Sequence, residues 1–323
     1  MGNEMVQDEK NPKVLVLLSA YNGETFIGSQ LDSLLCQTQE NVDIVVRDDG
    51  SADGTRTILA SYQEKHDNIT VISGENVGVA HSFWYLLQYA VQQRDYAYFA
   101  LCDQDDYWER EKIAVAVDWL EKSDGTMPCM YCSNLKITDA ELNVIGLMRD
   151  DIPEAHNKAK SLVESFATGC TMVFNRQLLE LATAKPVKKL VLHDLWLFQS
   201  CMFLGRIYYD PHAHILYRQH QKNEIGAKFT RMQRLRSKMK SIRLFFDEQQ
   251  RFREIEAINL LDAYQDSLSE TDRQLIDIVA SYRHRLHYRL GWAFGLLPAS
   301  RNIRMTKLVD NFFLKIRILL GKV

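Results

Sequence analysis

Cysteine, proline and glycine are all scarce in this 323-residue chain, at six, six and fifteen residues. So few cysteines, irregularly spaced, exclude a disulfide scaffold and read as reduced thiols. With 46% apolar and 25% charged residues, the shortage of Gly and Pro also excludes collagen-like, low-complexity and disordered chains. No stretch approaches the ~18 consecutive apolar residues of a membrane span. Met1 to Lys10 is polar, so neither a secretory leader nor a spanning helix is expected, and the protein is expected in the cytoplasm. Gly-X-X-X-X-Gly-Lys-Ser/Thr and Gly-X-Ser-X-Gly do not occur, which removes P-loop NTPases and nucleophile-elbow hydrolases. Cys129-Met130-Tyr131-Cys132 has zinc spacing but no second pair, and lies in a predicted strand, so both thiols are expected in the core. Gly74-Glu75-Asn76-Val77-Gly78 lacks the third glycine of a dinucleotide fingerprint.

What is present begins with a charge asymmetry. Residues 1–227 carry a net −12 and residues 228–323 a net +9, which divides the chain into an acidic body and a basic tail at about residue 227. An acidic body argues against a nucleic-acid groove. Lys13–Leu18, Val42–Val46, Ile69–Ile72 and Tyr96–Cys102 read as strands, separated by helical patterns over Glu24–Gln37, Thr55–His66 and Val79–Gln92. Apolar strands alternating with amphipathic helices imply an α/β sheet with parallel crossovers, and such sheets bind ligands beyond the strands' carboxyl ends. Each strand is followed there by a polar loop: Ser19-Ala20-Tyr21-Asn22, Asp48-Asp49-Gly50-Ser51, Gly74-Glu75-Asn76 and Asp103-Gln104-Asp105-Asp106.

Carboxylates crowded at a strand end repel one another unless a cation neutralises them, and hard oxygen ligands suit Mg2+ or Mn2+. Asp103-Gln104-Asp105-Asp106 therefore reads as a divalent-metal site holding a diphosphate, a solvated acidic turn being the alternative. In the Asp48-Asp49 cluster, glycines permit a tight turn, and the carboxylates there can accept from a base N–H or a ribose hydroxyl, a capping turn being the alternative.

These residues resemble the inverting family 2 glycosyltransferases of GT-A fold, especially their bacterial rhamnosyltransferase-like branch. The resemblance rests on Ser19-Ala20-Tyr21-Asn22-Gly23, Val45-Val46-Arg47-Asp48-Asp49-Gly50-Ser51 and Asn76-Val77-Gly78-Val79-Ala80. It continues through Asp103-Gln104-Asp105-Asp106-Tyr107-Trp108, which is similar to the family's Asp-X-Asp motif, Ala167-Thr168-Gly169-Cys170, His193-Asp194 and Tyr217-Arg218-Gln219-His220, with Asn223 and Gly226 behind. It spans about residues 12–226, in order. The fold it implies is a GT-A, Rossmann-like mixed sheet flanked by helices, with residues 1–227 as the catalytic domain. By the same resemblance Ala20, Tyr21, Asp48 and Asp49 cradle the nucleotide, Asp103 reaches ribose and metal, and Asp105 ligates the metal. Arg218 is expected to pair with a phosphate and His220 to serve as a metal ligand or diphosphate donor, a surface histidine being the alternative. An inverting displacement needs a general base opposite the leaving group. Asp194 stands where the family carries its base, with His193 to orient it; an N-cap aspartate is the plainer reading.

From Lys228 onward only helical patterns occur, over Lys228–Tyr264, Glu270–Leu290 and Ile303–Leu320. Lys228–Arg243 holds seven Lys/Arg and no acid, interleaved with apolar residues at helical spacing, and Asn302–Lys322 repeats the theme. The tail is expected to meet an anionic membrane surface, join a homodimer, or pack on the catalytic domain, which is expected to fold without it. The expected activity is metal-dependent sugar transfer from a nucleotide donor, dTDP-L-rhamnose first and a UDP-hexose or UDP-N-acetylhexosamine second, to a lipid-linked saccharide acceptor. A catalytically silent subunit of the same fold is the alternative.

Overall fold

A computed structural model describes residues 12–123, 125–154, 156–220 and 251–323. Four parallel strands open the chain: β1 Val14–Ala20, β2 Val42–Asp48, β3 Ile69–Ser73 and β4 Tyr98–Asp103. Helices α1 Ile27–Leu35, α2 Thr55–Lys65 and α3 Val79–Gln92 return the chain between them. The register aligns Ala20 with Asp48, Asp48 with Ser73 and Ser19 with Asp103, so all four polar loops leave from one edge.

The second half makes the sheet mixed. It adds β5 Tyr107–Trp108, α4 Lys112–Glu121, β6 Cys129–Thr138, β7 Val144–Leu147, α5 Lys158–Ser161, β8 Val173–Asn175, α6 Arg176–Thr183, α7 His193–Leu204 and β9 Arg206–Arg218. The order is β3-β2-β1-β4-β8-β6-β9-β5, with β7 paired to β6. β8 runs antiparallel to β4 and β6, and β9 lies parallel to β6. The thirteen-residue β9 is the largest departure from the sequence reading, which placed an extended segment only at Ala213–Leu216. Its Asp210-Pro211-His212 stretch breaks the alternation with an irregularity in the pairing to β6, which conceals one long strand in the pattern.

Side chains alternate across the first strands as the pleat requires. Leu15, Leu17 and Leu101 point to one core, and Val14, Val16, Leu18 and Cys102 to another on the opposite face. The latter is covered by α1, α2 and α4, the former by α3, α6 and α7. Helix α7 is buried on nearly all sides, so its uninterrupted apolar run reflects a central helix.

Beyond the break come α8 Phe252–Tyr264, α9 Glu270–Ser281, α10 Leu286–Phe294 and α11 Leu308–Leu319. The stretch expected as one helix over Glu270–Leu290 is two. The chain turns at Ser281, whose carbonyl accepts from both His284 and Arg285 N–H, while the buried Tyr282 anchors the chain's last residue, Val323. Lys228–Arg243 lies outside the described residues, as do Asn223 and Gly226.

The change of charge at residue 227 is not a break in packing. Ala257, Leu260 and Tyr264 of α8 and Ile276 and Val279 of α9 belong to the same core as Trp196, Phe198 and Phe203 of α7. Tyr264 stacks on Trp196 at 5.4 Å, and its hydroxyl meets Ser200 at 3.0 Å and donates to the Leu181 carbonyl at 3.2 Å. The catalytic part, expected to fold without the tail, thus shares its core with α8. Tyr264→Ala is expected to cost about 3–5 kcal/mol, as large aromatic truncations in cores do, read as a lowered urea midpoint.

Candidate active site at the carboxyl edge of the sheet

The loops after β1 and β2 are zipped together by their own polar groups. Asn22 N–H donates to Ser51 Oγ at 2.9 Å, Ala52 N–H to Asn22 Oδ1 at 2.8 Å and Gly23 N–H to Thr55 Oγ1 at 2.8 Å. Asp48 is fully buried, accepting from Ser51 N–H at 3.3 Å and Arg56 Nε at 2.8 Å. Asp49 pairs with Arg47 and accepts from Val77 N–H at 3.1 Å and Gly78 N–H at 3.0 Å, stapling the β3–α3 loop to β2. Both aspartates thus serve the shape of the loops after β1, β2 and β3, Ala20 is buried at the end of β1, and Tyr21 is the group of this set that is exposed. Gly50 sits at φ +82° with the position of a Cβ 2.8 Å from Asn76 N, so Gly50→Ala combines left-handed strain with a backbone collision. A loss of about 2 kcal/mol or more in a thermal melt is expected, with weakened nucleotide binding in titration.

Gln104 explains the amide in the Asp-Gln-Asp-Asp run. Its side chain accepts from Tyr21 N–H at 2.8 Å and donates to Tyr21 O at 2.9 Å, pairing with the backbone of the first loop as a strand would. Gly23 leaves the room for it, since a Cβ there would run into the Gln104 amide.

The acidic turn divides into an open and a buried half. Asp105 Oδ2 lies 2.9 Å from His220 Nε2, both partly accessible, and the His220 ring packs on Phe26 at 4.7 Å. The structure thus joins two residues 115 apart, the expected metal ligand Asp105 and the histidine expected as a metal ligand or diphosphate donor. Asp106 is buried, accepts from Arg218 N–H at 3.2 Å and leaves Oδ2 without a hydrogen-bond partner among the described residues. Burial first, then the Asp105 and Asp103 charges, push the Asp106 carboxyl well above its ordinary range. Ligand atoms of Asp103, Asp106 and Cys170 lie within 4.8 Å of one another. Burial pushes the Cys170 thiol well up, so it stays protonated beside Asp106.

A divalent cation fits this donor set. The orphaned Asp106 oxygen beside the Asp103 carboxylate, with the Asp105 charge acting on both, calls for positive charge, and carboxylate oxygen with imidazole nitrogen suits Mn2+ or Mg2+. Asp103, Asp105 and His220 are the residues that would hold it, with Asp106 beneath them.

Arg218, expected to pair with a phosphate, is also engaged within the protein. Its Nε donates to Asp105 O at 2.9 Å, another donor reaches Ala140 O, and the guanidinium lies 4.6 Å over Phe26. At 4% exposure it braces the acidic turn from behind.

Lys112 was missed in the sequence. It is fully buried, with Nζ 3.3 Å over the Trp108 ring and no hydrogen-bond partner among the described residues. Burial lowers its pKa to about 7 against the pull of Cys102, Cys170 and Asp106. The signal was available, because Lys112 lies on the same stripe of α4 as Ala116 and Leu120.

His193 and Asp194 open α7. The helix is capped by Leu192, which makes no side-chain cap bond, so Asp194 is a first-turn residue and not the N-cap; its Oδ1 lies 2.8 Å from Leu195 N. His193 is buried and stacked on Phe83 at 3.9 Å, with Nδ1 unpartnered among the described residues. Burial lowers its pKa to about 4, against the opposing effect of Asp194, so the ring is neutral near pH 7. An unfolded histidine protonates near pH 6.5, so burying this one neutral contributes stability that is present above that pH and lost as pH falls towards 4. Roughly 3 kcal/mol is at stake across that window, and His193→Phe should flatten the decline between urea melts at pH 7 and pH 4.5. A second miss, Glu256 of α8, is fully buried near Val191, Leu192 and Asp194, where burial raises its pKa to about 8.

The turn Gly169–Thr171 joins the two halves of the site. A Cβ at Gly169 would lie 3.3 Å from Asp194 Cβ and 3.6 Å from His193 Nε2, while the side chain of its neighbour Cys170 belongs with Asp103 and Asp106. Asp194 and the acidic turn therefore stand on either side of one three-residue turn.

Residues 15–181 match the profile of glycosyl transferase family 2. The chain is 28% identical over 228 residues to the dTDP-rhamnosyl transferase RfbG of Shigella flexneri, covering 66% of this chain and 75% of that protein. It is 26% identical over 235 residues to the uncharacterised glycosyltransferase RT0329 of Rickettsia typhi, covering 71% of each. Among solved structures, S. aureus TarS 1–349 superposes with a TM-score of 0.54 at 17% identity, over 96% of this chain and 79% of that one. The mannosyltransferase PcManGT of Pyrobaculum calidifontis, in complex with GDP-Man and Mn2+, gives 0.53 at 17% identity over 96% and 86%. At such identity the solved structures establish the fold, that of GT-A glycosyltransferases. With the profile matching more than half of its length, the chain belongs to glycosyltransferase family 2.

Proposed function

We propose that this glycosyltransferase inverts the anomeric centre of a nucleotide sugar, dTDP-L-rhamnose in the first instance, and delivers the sugar to a hydroxyl of a lipid-linked saccharide during cell-surface polysaccharide synthesis. The observation that carries the reading is the Gly169–Thr171 turn, which sets a half-buried carboxylate, Asp194, beside a cation-seeking acidic turn. Asp194 takes the proton from the acceptor hydroxyl as its oxygen bonds to the anomeric carbon. The bond from that carbon to the diphosphate oxygen breaks on the opposite face, and the nucleoside diphosphate leaves. Neutral His193, held flat on Phe83, has no positive charge with which to depress the basicity of its neighbour. Tyr21 offers an exposed ring to the base above the loop braced by Asp48 and Asp49. Asp103, Asp105 and His220 are the residues that would hold a divalent cation, Mn2+ or Mg2+, which when bound would supply charge neutralisation to the leaving diphosphate.

The rhamnosyl choice is supported by the sequence likeness to RfbG. A UDP-hexose or UDP-N-acetylhexosamine donor is the competing choice, TarS having been solved with UDP-GlcNAc. A silent binding subunit would have no need to keep Asp103, Asp105 and Asp194 together. The cytoplasm, at the inner face of the membrane, is the setting such an acceptor requires. A panel of dTDP-rhamnose, UDP-glucose, UDP-GlcNAc and GDP-mannose, scored for donor hydrolysis with Mn2+, tests the reading. Preferential turnover of dTDP-rhamnose is the expected result, preference for a UDP sugar moves the assignment to that donor, and hydrolysis of none defeats it.

A further inference from the structure

The last two helices turn apolar residues outward. On α10, Leu286, Leu290 and Phe294 recur every fourth residue, and on α11 Leu308, Phe312 and Leu319 share one side at helical spacing; these six are 38–87% exposed. The opposite faces do the core's work, with Trp292 of α10 and Leu314 and Ile318 of α11 buried. The two helices pack on each other, so the stripes belong to one hairpin. A soluble surface scatters its apolar residues, and two such stripes on adjoining helices need an occupant.

The charge around them selects it. Residues 282–323 contain nine Lys/Arg and one carboxylate, Asp310. Arg283 and Arg285 are engaged by Glu254 and Asp277, at 3.6 Å and 2.6 Å, and the segment keeps a net positive charge after these two pairs. A second copy of so basic a face would repel the first, and the segment Lys228–Arg243 of the same chain is basic too. An anionic lipid surface satisfies both features, taking the apolar stripes at the acyl boundary and the cations at the headgroups. No helix among the described residues is long and apolar enough to cross a membrane, so contact is with the surface.

We propose that the α10–α11 hairpin is a membrane-docking face which seats its apolar stripes in an anionic leaflet. This deepens the lipid-linked acceptor reading, on which its biological sense rests, but it is measured without donor or acceptor. Co-sedimentation of the full chain with phosphatidylglycerol/phosphatidylcholine vesicles is compared with pure phosphatidylcholine vesicles at 50 and 500 mM NaCl. The expected result is binding to the anionic vesicles that weakens at least tenfold at high salt, since the headgroup attraction is screened. The double variant Phe294→Ser/Phe312→Ser should lose at least tenfold in vesicle affinity while donor hydrolysis stays at the wild-type level. Should the double variant fail to fold, Leu308→Ser alone, at the most exposed position, should weaken binding severalfold. Equal binding by these variants, no vesicle binding by the wild type, or salt-independent binding to neutral vesicles overturns the proposal. So does a stable dimer that the double variant dissociates, because it assigns the face to a second copy. Loss of donor hydrolysis by the wild type would count against the transferase reading alone.

Discussion

Asp194→Asn is expected to bind nucleotide sugar as the wild type does and to transfer at least ~100-fold more slowly, the contribution typical of a positioned general base. The substitution is nearly isosteric and the residue is half-buried, so α7 should keep its place. Asp194 Oδ1 lies 2.8 Å from Leu195 N, a contact the Asn carbonyl oxygen can keep. What disappears is the ability to accept a proton from the acceptor hydroxyl. Single-turnover transfer beside donor titration separates the two effects. Near-normal turnover would reduce Asp194 to a helix-terminus charge, typically worth about 0.3–1 kcal/mol.

The second large effect is expected at Asp105. Asp105→Ala should abolish the Mn2+-dependent part of donor binding, because it removes the accessible carboxylate that faces His220 at 2.9 Å. Asp103 would remain, with Asp106 below it held towards its neutral form by burial. A site left with one readily ionised carboxylate neutralises too little of a cation's charge to pay for its dehydration. Calorimetric titration of dTDP in the presence and absence of Mn2+ reads the loss, and unchanged Mn2+-dependent affinity would remove Asp105 from the site. His220→Ala removes the second partner and should weaken the same component by a smaller factor.

The first half of the fold was legible because its rules are local. Apolar strands, amphipathic returns and polar loops at successive strand ends specify a parallel sheet and the edge at which its chemistry sits. Asp105 and His220 could be named together only through a family resemblance, since no local pattern brings residues 115 apart into contact. β9 was underread because Pro211 and flanking polar residues interrupt its alternation, and only its pairing to β6 shows it continuous. Asp48 and Asp49 are read as ligand contacts through the resemblance and Arg218 on its side-chain chemistry, and the structure adds for each a set of bonds within the loops that the sequence does not show. Short-range chemistry tells what a residue can bond to, and packing decides which partner it meets. Lys112 and Glu256 illustrate the converse. Each is a charged residue on an apolar helical stripe, and each is buried close to a carboxylate of the candidate site.

The central claim is that the turn at Asp103–Asp106 and His220 form a divalent-cation site that acts with a nucleoside diphosphate. Electron paramagnetic resonance of Mn2+ titrated with the protein measures free ion directly, with and without dTDP. The account predicts one Mn2+ per chain, bound at least tenfold more tightly when dTDP is present and lost in Asp105→Ala. Mn2+ that stays free at every protein concentration, or binding indifferent to both the nucleotide and Asp105, would contradict it.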